Sequence, residues 1–231
     1  MTHGVCWTAN ALPAEKRASY LAEEKRVGAI QARIFWLGID QRGWAGNRRG
    51  NRKPKKYHVS DDPTLIAYKT KFVPSGEYRG KQNVSLAPIP IQESWKQGGF
   101  TADWTPPDYA RMRRVWPKML QISIDITVTA FCLRPDRIFL NDWVVPGVSL
   151  HQEMELSSEA GIPNEAVLST ATRNAALALG LEKQIGTIEL GKRADLVVLS
   201  AKPLRDIHNT ERIQYVFSAG RLMTPNSLHT E

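Results

Sequence analysis

The hydrophobic period of the chain changes near residue 180, and that change limits what the C-terminal third can fold into. From Ser149 to Leu179 apolar residues recur at helical spacing, and from Ile185 to Phe217 they recur as short runs or on alternate residues. A helix repeats every 3.6 residues and a strand every two, so a helix pair followed by a small sheet is expected. Ser149 with Gln152 three residues on forms a capping-box pattern, so Ser149 is expected to cap a helix running to about Ala160. Gly161 and Gly180 stand where left-handed helix stops belong, and Pro163 or Asn164 opens the second helix. In that second helix, Val167, Ala171, Ala175 and Leu179 share one face. Ile185–Leu190, Ala194–Ser200 and Ile213–Phe217 are expected strands, with turns at Gly191-Lys192 and Ala219-Gly220.

Upstream the pattern is less regular. Pro13–Val27 predicts an amphipathic helix, and Ala29–Ile39 a buried strand. The apolar, β-prone run Thr64–Tyr68 predicts a strand. Pro74–Pro107 is too long for an ordinary connection, so a functional loop or short helices are expected there. Asp108–Leu120 predicts a basic helix that Pro117 kinks or ends. Ile122–Leu133 is β-branched and almost continuously apolar, as in a strand covered on both faces.

Charge divides the chain unevenly. Residues 1–60 hold 12 Lys and Arg against 4 Asp and Glu, which accounts for the whole net charge of +8. Seven of these cations lie in Arg42–Lys56, a stretch without an acid. Out-of-frame sequence, a solvated basic loop and phosphate binding with stacking on Trp44 and Tyr57 would each give such a run. No nucleic-acid-binding fold signature accompanies it, so no nucleic-acid site is assigned. No apolar run approaches the 18 residues of a membrane span, and mean hydropathy is −0.35. The first ten residues lack a basic segment followed by an apolar core, so no signal peptide is expected. Cys6 and Cys132 form neither a disulfide framework nor a zinc knuckle, and a reducing cytoplasm is the expected location.

The strings PGVSLHQEMEL, EAGI, ATRNAALALGL, IGTIELGKRADLVVL, PLRDIHNT and AGRL occur in order over about 75 residues. Together they resemble the closing segment of the amidohydrolase superfamily, in its imidazolonepropionase and prolidase-like groups. The resemblance implies an α/β fold: the last strands and helices of a (β/α) barrel plus C-terminal β-sandwich strands. Such a barrel alone takes about 250 residues, so the chain is expected to carry its later part only. The implied division is an irregular basic region over 1–60, barrel over 61–184, sandwich strands over 185–223 and a tail over 224–231. An open barrel edge would call for an oligomer or a covering partner.

The resemblance also implies a chemistry. It is metal-dependent hydrolysis of carbon–nitrogen, but not peptide, bonds in small amide or cyclic-amide substrates. A divalent metal, zinc by preference, activates the attacking water. Asp136 falls at the position of the family's ligand and general base, although Arg134-Pro135 replaces the usual Gly-Thr before it. His58 is a second candidate ligand. His151, Arg173, Asn174 and Asp195 match positions that support the site or pin turns. Of five histidines no two are spaced as an HxH pair. Two alternatives follow: an inactive relative lacking most metal ligands, and a basic binding protein acting through Arg42–Lys56.

Overall fold

The computed structural model describes residues 2–3, 14–28, 32, 61–62, 65–70, 81–96, 104–127, 143–145 and 147–224. The expected strand Ala29–Ile39, apart from Ala32, and the basic run Arg42–Lys56 lie outside them, as do Ile122–Leu133 beyond residue 127, His58 and Asp136.

Helix α1 (Ala14–Val27) packs on helix α4 (Pro106–Thr127) through ion pairs. The Arg26 guanidinium donates to Asp108 at 2.8 Å, and Arg111 donates to Glu23 at 2.9 Å. Asp108 also caps its own helix, accepting from Thr105 N at 2.9 Å and Thr105 Oγ1 at 2.7 Å. The Arg26 guanidinium holds the Asp108 carboxyl down at about 2. Its contribution is therefore complete above the ordinary carboxylate range near 4 and is lost as pH falls through about 2. Asp108→Asn is expected to cost about 1–2 kcal/mol at pH 7 in urea unfolding, discounted for the half-exposed Arg26, and almost nothing at pH 2.

Helix α4 corrects two expectations. It runs unbroken through Pro117, which stands on the exposed face, while Tyr109, Met112, Val115 and Trp116 are buried. It also includes Ile122–Thr127, which local β-propensity marks as strand. Extending a formed helix costs no new nucleus, so elongation overrides that propensity. Of the expected strand Thr64–Tyr68, the described residues from Leu65 onward are likewise helical, forming α2 (Leu65–Lys69). Pro74–Pro107 does contain short helices: a 3₁₀ helix over Lys81–Leu86 and α3 (Ile89–Lys96).

Trp143, Val144 and Val145 are buried and lead into helix α5 (Val148–Glu159). Trp143 packs tilted against Trp95 of α3, ring centroids 5.6 Å apart, beside Val84, Ala87 and Val145. The helix is capped by Gly147 at φ +78°, not by Ser149, so the expected capping box does not form. Ser149 stands a residue inside the helix, where its backbone N–H already bonds Val145 O at 2.9 Å. The C-terminal end follows expectation. Gly161 N bonds Ser158 O and Ile162 N bonds Ser157 O, with Gly161 at φ +94°, the double bond pattern of a Schellman stop.

The second helix begins at Asn164 with Pro163 as its cap. It comprises α6 (Asn164–Ser169), a π-helical turn over Thr170–Asn174 and α7 (Ala175–Ala178). The π turn inserts an extra residue and shifts the inward position from Ala175 to Ala176. Val167 and Ala176 are therefore buried, while Leu179 is exposed. Gly180 ends the helix at φ +71°. Met154, Ile162, Val167 and Ile207 form the core between the two helices. Each such side chain contributes about 1.5–3 kcal/mol of burial.

Ile185–Leu190 is not a strand. It forms turns, and Ile188 and Leu190 lie almost fully in solvent. Its ends are tied instead, since Arg193 N bonds Gln184 O at 2.9 Å. Strands β3 (Leu196–Leu199), β4 (Ile213–Ser218) and β5 (Arg221–Met223) form an antiparallel sheet in the order β3-β4-β5. A bulge lies between Val198 and Leu199. Ala219 and Gly220 both take positive φ, 48° and 80°, the geometry of a two-residue hairpin turn. One further pairing, of β1 (Thr2–His3) with β2 (Asp61–Asp62), is parallel and two residues long. The described residues are thus a mixed α/β assembly.

Candidate functional site

A cleft of about 540 Å³ opens where α2, α5 and the 3₁₀ helix Ile207–Glu211 meet. Gln152, Glu155, Leu156 and Glu159 recur at helical spacing on one face of α5 and form a wall. Ile66 and Lys69 come from α2, and Ile207 and His208 from the 3₁₀ helix. Lys69 Nζ is 3.9 Å from Glu159 and 4.9 Å from the Trp116 ring centroid.

The cleft depends on a residue that local pattern does not reveal. Glu153 is buried on the inner side of α5, and its two carboxylate oxygens accept from Leu65 N and Ile66 N, both at 2.7 Å. Those are free N–H groups of the first turn of α2, and the carboxylate satisfies them. This bond pair explains why Leu65–Lys69 is helical and where it lies. The available signal was a polar stripe at Ser149, Glu153 and Ser157, spaced by four on the face that is buried.

Two histidines join α5 to the 3₁₀ helix. His151 Nδ1 lies 2.9 Å from Thr210 Oγ1. His208 Nδ1 lies 2.7 Å from Asp206 Oδ1, and its Nε2 lies 4.0 Å from Glu155 Oε1. The bond to Asp206 raises the His208 pKa, and the same contact lowers that of Asp206. Burial pushes the Glu155 carboxyl up.

The other candidate residues lie apart from the cleft. Arg173 is exposed on the π turn, with Asn174 half-buried beside it. The chain passes close to this turn, because a Cβ built on Gly186 would stand 3.2 Å from Arg173 Cα and 2.5 Å from Ala176 Cβ. Asp195 accepts from Ala219 N at 2.8 Å and pairs with Arg193. The Ala219 N–H holds the Asp195 carboxyl below its usual range. Among the described residues no three His, Cys, Asp or Glu side chains converge as metal ligands. Both rings that are described already face hydrogen-bond partners through Nδ1. The described residues alone therefore gather no donor set for a metal ion.

A helix pair closed by glycine stops, a pinned turn and a three-stranded antiparallel sheet make up the C-terminal α/β segment. Residues 143–223 match the model of the Amidohydrolase family, so the likeness to that family lies in the C-terminal part of the chain. It is 30% identical over 124 residues to an imidazolonepropionase of Thermoplasma acidophilum, covering 52% of this chain and 27% of that protein. It is 40% identical over 75 residues to a 5-methylthioadenosine/S-adenosylhomocysteine deaminase of Desulforudis audaxviator, covering 32% of this chain and 17% of that protein. The chain therefore spans about a quarter or less of the length of these relatives. A prolidase solved with N-methylphosphonate-L-proline superposes with a TM-score of 0.50 at 21% identity, covering 76% of this chain and 37% of that one. At that identity the likeness concerns the fold.

Proposed function

We propose that the chain contributes the C-terminal part of a metal-dependent hydrolase of carbon–nitrogen, but not peptide, bonds in small amide or cyclic-amide molecules. The observation that carries this reading is the family match over residues 143–223, together with the helix pair and sheet found there. On this reading residues 61–184 belong to a partial (β/α) barrel and 185–223 to a β-sandwich, preceded by a basic region over 1–60 and followed by a short tail. Asp136 is the assigned metal ligand and general base, with His58 a second ligand and a divalent ion, zinc by preference, as the cofactor. His151 and Asp195 support the fold through Thr210 and Ala219, and Arg173 and Asn174 through the π turn.

The absence of an HxH pair favours a second reading, a relative without a competent metal centre. One experiment separates the two. The purified protein is assayed with added Zn²⁺ against N-acyl-proline and cyclic-amide substrates, and its bound metal is measured by mass spectrometry. The hydrolase reading expects metal-dependent turnover that falls at least 100-fold in Asp136→Asn, the scale of a lost general base. Turnover below background with substoichiometric metal, in protein whose circular dichroism shows it folded, selects the second reading.

A further inference from the structure

We draw no further inference here: the strongest candidate, the apolar face of the β3-β4-β5 sheet on which Val198, Tyr215 and Leu222 stand exposed, carries nothing, because nothing in the structure shows what covers it.

Discussion

Glu153→Ala is expected to destabilise the protein by about 3–5 kcal/mol, measured as a lower urea midpoint. The wild-type carboxylate is buried and accepts two backbone N–H groups at 2.7 Å. Truncation strands both donors in a site closed to water, at about 1–3 kcal/mol each, and leaves a void besides. Glu153→Gln is the sharper comparison. Its volume is nearly the same, but its amide nitrogen cannot accept, so one N–H stays bonded and the other faces a donor. About half the loss is expected. Equal stability of all three proteins would mean that the α2–α5 contact contributes nothing.

Gly186→Ala is expected to cost about 2–4 kcal/mol. Two penalties act together. The residue sits at φ +95°, which an L side chain adopts only under strain. The added methyl would also stand 2.5 Å from Ala176 Cβ, with Arg173 Cα and Thr172 O at 3.2 Å behind it. Since backbone surrounds the site, the clash cannot be relieved by a rotamer change. Ala176→Gly in the same chain should recover the steric part and not the φ strain, so a double-mutant cycle by thermal unfolding apportions them. Full additivity of the two substitutions would place Gly186 away from the π turn.

The C-terminal third was largely legible because its signals are local. Gly161 and Gly180 mark helix ends through their own φ angles, and Ala219-Gly220 marks a hairpin. β3 and β4 follow from short β-branched runs bounded by turns. What stayed hidden depends on distant partners or on continuity. Thr64–Tyr68 looks like a strand until Glu153, 88 residues from Leu65, caps the N–H groups of α2. Ile122–Thr127 looks like a strand until it is seen as the continuation of a helix begun at Pro106. The π turn moved the buried position by one residue, a shift that a fixed period cannot express. The cleft was not legible at all, since Ile66, Glu155 and His208 are brought together only by tertiary packing. Asp136 and His58 rest on family resemblance alone.

The tie between Glu153 and the backbone at residues 65–66 reaches outside the stretch that matches the family. Residues 143–223 contain the acceptor, whereas the donors belong to a part of the chain about eighty residues earlier. Excised by itself, the matching piece would lose both N–H groups that Glu153 accepts from, and the face that α2 covers would open to water. The match and the packing therefore draw different borders here: the packed unit extends upstream at least to α2.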